Sequence, residues 1–358
     1  MSGFSPKDKD TGRLKDVPVI LSGFVQWNQR RRPGMGLNRG RGLTVIMASA
    51  LLSLTFTAWG QQSEKKESVA RPRITGISHV AYFVSDLPRA EAFWHDLLGY
   101  DVPYDLKRPD GSTRIAFVKI NDRQHIELFN EKPANPPNHM SHICFSVDDL
   151  QQMRAYLLSK GFEVPSIGTT KVGDSAFEIK DPEGMLVEFV QTLPGGAEAK
   201  AAGKFEPSTR ISTKIMHVGF LVGNTERSLD FYGKILGFEE TWRGGPDPKE
   251  LSWINMRVPD GTDYVEFMLY RTLPTEMGGK NHTSLEVTEI GSSVATLEAR
   301  PAFQQYGKPV KVATGINRKR QVNLFDPDGT RVELMEPKTI DGRPTPSSSA
   351  PPPAAAHN

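Results

Sequence analysis

Four histidines and four glutamates recur at matching places along this chain. His79, His142, His217 and His282 each stand at the head of an apolar, strand-like run, and Glu127, Glu188, Glu266 and Glu333 each stand inside a later one. A single strand histidine is ordinarily a hydrogen-bonded core or rim residue, and a single strand glutamate a solvated one. Eight coincident placements ask for another reading. A carboxylate with apolar neighbours, such as Glu188 in Leu186-Val187-Glu188-Phe189-Val190, is costly to bury unless it is paired or bound to metal. Two imidazoles and two carboxylates form a donor set for a divalent cation of Zn²⁺, Ni²⁺, Fe²⁺ or Mn²⁺ character, with water in the open positions. Two more residues share these faces by strand alternation, His125 with Glu127 and Cys144 with His142. Either can enter the first cavity; the plainer alternative is a rim histidine and a buried cysteine.

The elements that position these groups are legible as repeats. Ser78-His79-Val80-Ala81-Tyr82-Phe83-Val84 matches Met216-His217-Val218-Gly219-Phe220-Leu221-Val222, and Asp181-Pro182-Glu183-Gly184 matches Asp326-Pro327-Asp328-Gly329. Within the first half, the run from Ser78 also aligns with the run from Ser141. Each unit reads as a strand, a helix opened by Asp-Leu and closed near Gly99 or Gly161, then three strands. The pattern is βαβββ four times over. It predicts an α+β fold of two tandem domains, each a pair of units forming one curved mixed sheet around a cavity, so that each domain offers His, Glu, His and Glu to one site. The fourth unit is the weakest copy, because its helix meets Pro301 early. The Asp-Pro-x-Gly turns position the last strands: proline presets φ and glycine accepts φ > 0.

The expected boundaries are a leader at 1–60, a linker at 61–73, domains at 74–193 and 211–338, a linker at 194–210 and a disordered Pro/Ser/Ala-rich tail at 339–358. Residues 1–42 carry nine Lys/Arg against three Asp/Glu, so a total of +2 leaves the remainder mildly acidic. No basic patch with interleaved aromatics follows, which argues against nucleic acid as a partner. The uncharged run 42–58 follows Arg39 and Arg41 and ends in Ala58-Trp59-Gly60, the layout of a secretory signal peptide cleaved near Gly60. It is shorter than the roughly 20 residues that cross a bilayer comfortably, so membrane attachment is expected only if the segment stays uncleaved. A periplasmic or secreted protein, monomeric or a homodimer, is the expectation. Cys144 is the single cysteine, so no internal disulfide forms.

From about Ile74 to Pro337 the chain resembles the vicinal oxygen chelate superfamily, which includes glyoxalase I, extradiol dioxygenases and the bleomycin-resistance and fosfomycin-resistance proteins. The resemblance rests on HVAYFV and HVGFLV, on Phe-Trp or Phe-Tyr helices ending in Leu-Gly-Tyr or Leu-Gly-Phe, and on Asp-Pro-x-Gly before Val-Glu-Phe or Val-Glu-Leu. It implies metal ligands His79, Glu127, His142 and Glu188 in one domain and His217, Glu266, His282 and Glu333 in the other. Members differ in whether half-sites come from one domain or are exchanged between domains or subunits, so His79 and Glu127 can instead join His282 and Glu333. The glyoxalase likeness implies a metal that polarises vicinal oxygens and a carboxylate that moves a proton between adjacent carbons, with Glu127, Glu188, Glu266 and Glu333 as candidate bases acting on a small-molecule substrate. No arginine cluster for the carboxylates of glutathione is evident. The dioxygenase likeness would put iron at His217, His282 and Glu333, but Glu266 and Asn323 stand where those enzymes usually carry a catalytic His and a Tyr. A non-catalytic ligand-binding cavity is the third alternative.

Overall fold

The computed structural model describes residues 69–133 and 138–355. The segment expected to direct export lies outside them. Among the described residues no helix is long and apolar enough to cross a membrane.

All four units take the expected order. The first comprises β1 (Ile74–Phe83), α1 (Leu87–Ala92), β2 (Tyr104–Lys107), β3 (Thr113–Asn121) and β4 (Gln124–Phe129). The second comprises β5 (Met140–Val147), α2 (Leu150–Ser159), β6 (Gly168–Thr169), β7 (Ser175–Lys180) and β8 (Leu186–Gln191). After α3 (Ala197–Ala201) the third runs through β9 (Ile215–Val222), α4 (Thr225–Ser228), β10 (Glu239–Gly244), β11 (Trp253–Arg257) and β12 (Tyr264–Leu269). The fourth has β13 (His282–Glu286), α5 (Ile290–Glu298), α6 (Pro301–Tyr306), β14 (Ala313–Thr314), β15 (Lys319–Phe325) and β16 (Arg331–Thr339). Pro301 divides the fourth helix in two, since a proline supplies no backbone N–H and suits a first helical position.

Side chains cap the starts of α1, α2, α4 and α5. Asp86, Asp149 and Asn224 accept from the backbone N–H three residues on, and Glu289 accepts from Gly291 and Ser292. α1 and α4 continue as π-helical turns, Phe93–Leu97 and Leu229–Ile235. These bury Phe93, Trp94, Phe231 and Tyr232.

Each domain is one eight-stranded sheet, ordered β2-β3-β4-β1-β5-β8-β7-β6 and β10-β11-β12-β9-β13-β16-β15-β14. The head strands of paired units run antiparallel at the centre, and each has the last strand of its own unit parallel beside it. Four adjacent strands, β4-β1-β5-β8, therefore carry Glu127, His79, His142 and Glu188. β12-β9-β13-β16 carry the second set. The Asp-Pro-x-Gly turns feed β8 and β16 with Gly184 and Gly329 both at φ +88°, a conformation that favours glycine.

One apolar cluster runs through both domains on the sheet faces that carry the helices. Phe145 meets Phe238, and Phe162 meets Phe231, with ring centroids 5.2 and 5.6 Å apart. Polar clasps surround this contact. Gln124 Oε1 accepts from Ile215 N at 2.8 Å, and its Nε2 donates to Ile77 O and Ile215 O. Tyr232 donates to Asp181 Oδ2 at 3.0 Å, and Asp263 accepts from Ile77 N.

Two expectations are corrected. The tail from 339 is laid along domain two as far as Ala355. Ser348 N donates to Arg243 O, Leu251 N donates to Pro351 O, and Ala350 is buried. Proline-rich chain holds an extended form with little loss of freedom, so a few such contacts order it. The stretch 194–210 is likewise more than a linker: it contains α3, and the buried Lys119 amine donates to Ala201 O and Lys204 O.

Candidate metal centres

The cross-strand registers define two rows in each sheet. In domain one, His125, His79, Cys144 and Glu188 lie side by side across β4, β1, β5 and β8; Glu127, Ala81, His142 and Leu186 form the next row. Residues of neighbouring rows two apart share a face, so all but Ala81 and Leu186 bring polar or metal-binding groups to one concavity. In domain two the rows read Tyr264, His217, Ser284 and Glu333, then Glu266, Gly219 and His282, with Arg331 one residue before the Val332 that faces Thr283.

In domain one the donors converge. Nε2 of His79 and Nε2 of His142 lie 3.1 Å apart, and 3.1 and 3.2 Å from the same Glu188 oxygen. Glu127 stands farther off, with oxygens 3.8 Å from His79 and 3.7 Å from His142. Both half-sites thus come from one domain, and the exchange of His79 and Glu127 with His282 and Glu333 does not occur. Ser78 Oγ lies 3.3 Å from His79 Nδ1, and Ser141 Oγ 3.2 Å from His142 Nδ1. Each serine oxygen can accept a hydrogen bond from Nδ1–H, which leaves the Nε2 lone pair to bind a cation. His125 and Cys144 both enter the site. His125 stacks on His79, and Cys144 lies within ligand-sharing distance of His79 and Glu188.

Glu178 was not anticipated, yet it groups with His142 and Glu188 and pairs with Glu188 across β7 and β8. Its place opposite Glu188, and the match of β7 with β15 that puts it at the position of Asn323, are the signals that could have found it.

Burial dominates the electrostatics. It pushes His79 and His125 down and Glu178 and Cys144 up. Burial also opposes charge on His142 and Glu188, but their mutual hydrogen bond and attraction prevail. His142 rises to about 9, and Glu188 is held well below the usual carboxylate range. The charges acting most strongly here all belong to His and Glu.

Domain two repeats the donors, with His217 Nε2 lying 3.3 Å from both His282 Nε2 and Glu333 Oε2, and Glu266 at 4.0 and 3.8 Å from the two rings. It differs in its surroundings. Arg331 Nη2 is 2.8 Å from His282 Nε2. Met216 and Asn281 replace the two serines, and His217 Nδ1 is buried without a partner. Burial, then Arg331, drives both histidines down. Burial, then Glu333, lifts Glu266 to about 8. A Cβ on Gly219 would overlap the His282 ring.

The domain-one set fits a divalent cation: two Nε2 atoms and a carboxylate oxygen already meet, and a second carboxylate faces them across the gap. The eight residues singled out in the sequence thus divide evenly between two clusters.

Two tandem sheets, each with a His/Glu cluster on its four central strands, define the architecture. Residues 76–189 and 214–334 both match the glyoxalase/bleomycin resistance protein/dioxygenase superfamily, and the chain belongs to it. Glyoxalase I of Saccharomyces cerevisiae is 24% identical over 281 residues, spanning 71% of this chain and 79% of its own length. An ethylmalonyl-CoA/methylmalonyl-CoA epimerase of Cereibacter sphaeroides is 31% identical over 132 residues, 32% of this chain and 96% of the epimerase. Homoprotocatechuate 2,3-dioxygenase from Brevibacterium fuscum shares the fold with a TM-score of 0.55 at 16% identity, over 79% of this chain and 77% of that one. The Mn(II)-bound glyoxalase from Novosphingobium aromaticivorans does so with a TM-score of 0.54 at 19% identity, over 74% and 83%.

Proposed function

We propose that this protein is a metal-dependent lyase or isomerase of glyoxalase type, which shifts a proton between adjacent carbons of a small compound oxygenated on both. The observation that carries this reading is the domain-one cluster, where two histidines and Glu188 meet and Glu127 faces them from farther off, with His125 Nε2 3.6 Å from it. His79, His142 and Glu188 would hold the cation; Glu127 completes the set or, when substrate enters, is free to act as base. A bound divalent metal supplies Lewis acidity to the substrate oxygens. Glu127 takes a proton from the carbon beside the carbonyl and returns it to its neighbour. Phe117 and Phe129, which flank His125 and His142, limit water at that carboxylate. Among the described residues the charges acting most strongly on the cluster belong to His and Glu, which suits a small uncharged carbonyl compound better than a glutathione conjugate. The glyoxalase and epimerase names among the relatives support the same chemistry.

Export is part of this reading, supported by the apolar run 42–58 and the Ala58-Trp59-Gly60 that follows. N-terminal sequencing of protein from a periplasmic fraction checks it: a start near Gln61 is expected, and full-length protein retained in the cytoplasm would refute it.

The activity is tested by assaying the purified protein for divalent metal, then incubating it in D₂O with 2-oxoaldehydes and α-hydroxy ketones under NMR. Deuterium uptake or conversion that chelation abolishes is the expected result. Protein free of metal and inert toward exchange would sink the proposal. Tight binding of such a compound without turnover would favour a sequestering protein instead.

A further inference from the structure

We propose that the divalent cation belongs to the first domain alone, and that Arg331 takes its place in the second. The inference rests on the metal reading of domain one and concerns what its copy has become.

The argument begins at a nitrogen. Nε2 of His282 faces His217 Nε2 at 3.3 Å and is the atom that would bind metal, yet Arg331 Nη2 stands 2.8 Å from it and 2.5 Å from Nδ1 of the same ring. A guanidinium stays charged at any working pH and only donates, so lying against both ring nitrogens it competes with a cation for the ring's lone pair and crowds the place beside Nε2. Repulsion between the two positive charges adds to that competition. At the matching end of the row in domain one stands Leu186, paired with His142, which brings neither charge nor donor.

The supporting residues diverge in the same direction. Ser78 and Ser141 lie against the Nδ1 atoms of the domain-one histidines, whereas Met216 gives His217 nothing and its Nδ1 is left buried and unpaired. Such outer partners orient a ligating imidazole and raise its basicity. Formal charges agree. Domain one gathers Glu127, Glu178 and Glu188; in domain two Asn323 stands in the position of Glu178, and the charges of Arg331 and Lys319 act on Glu266 and Glu333. A divalent cation balances the first cluster, while the second carries its own cations.

The test titrates the full chain, stripped by chelation, with Mn²⁺, following heat of binding and bound metal by elemental analysis. One tight ion per wild-type chain is expected. His142→Ala should abolish it, and His282→Ala should leave it intact. Arg331→Leu should create a second site, and Leu186→Arg should weaken the first roughly 10–100-fold. Two tight ions in wild type overturn this inference and spare the proposed function, whereas loss of the ion with His282→Ala rather than His142→Ala overturns both. An Arg331→Leu chain that folds and still binds a single ion overturns the role given to Arg331. If that variant does not fold, the two histidine variants decide the question. No ion bound by any variant or by wild type overturns both this inference and the proposed function.

Discussion

His79 lies on His125 with ring centroids 4.5 Å apart and planes within 25°, and in the second domain His217 lies on Tyr264 in the same way, at 4.7 Å and 27°. Each pair faces across a parallel strand pairing, two residues before the glutamate of the fourth strand. The shared function of the position is therefore a flat ring that fixes a histidine. His125→Tyr is expected to keep the fold and to change metal affinity less than His125→Ala, which leaves His79 free to rotate and should weaken binding about tenfold. Calorimetric titration of both variants separates the outcomes, and equal affinities would count against stacking.

The unequal distances of the two domain-one carboxylates predict unequal losses. Glu188, in contact with both rings, is expected to be essential for metal retention, so Glu188→Gln should lower affinity roughly 10–100-fold. Glu127→Gln should retain metal within a few-fold yet slow proton exchange about 10²–10⁴-fold. Side-by-side metal analysis and deuterium exchange read these effects, and a reversed pattern would exchange the two roles.

Asp181, buried where Tyr232 of the second domain reaches it, makes stability depend on pH. Burial lifts its carboxyl to about 7, against the hydrogen bonds from Tyr232 and the turn that lower it. The folded state thus holds a proton that the unfolded chain releases near pH 4. The stabilisation is complete below about pH 4 and is lost as pH rises toward about 7. Wild type should therefore fall, by roughly a few kcal/mol at most, relative to Asp181→Asn across that window. Urea unfolding at several pH values measures it; parallel curves would exclude the effect.

Gln124 offers a test of the domain contact. Its amide joins Ile77 to Ile215 in a buried site, and Gln124→Leu leaves those backbone groups without partners. A loss of about 1–3 kcal/mol is expected, seen as a lower denaturation midpoint. An unchanged midpoint would show that water replaces the amide.

Much of this is legible in the sequence. Period-two alternation and fourfold repetition bring out His79, His142, His217 and His282 with their four glutamates, because one strand face must carry them all. Partner choice is not, since pairing within a domain depends on which sheet each unit joins. Arg331 sits two residues before Glu333 and so shares its face, but strand alternation alone cannot show that a long side chain turns back onto His282. Glu178 carries no repeat signal of its own, and only the β7–β8 register puts it beside the cluster. The contacts of the tail are not legible in the sequence, because proline-rich composition describes stiffness as well as disorder.

Phe145 against Phe238 and Phe162 against Phe231 have a practical corollary. A gene cut between the domains would yield two halves, each presenting an oily face to water and neither able to bury it alone. Modular exchange within this lineage is therefore confined to the concave side, where side chains can drift without disturbing the seam. There one copy can specialise while its sibling remains chiefly a scaffold.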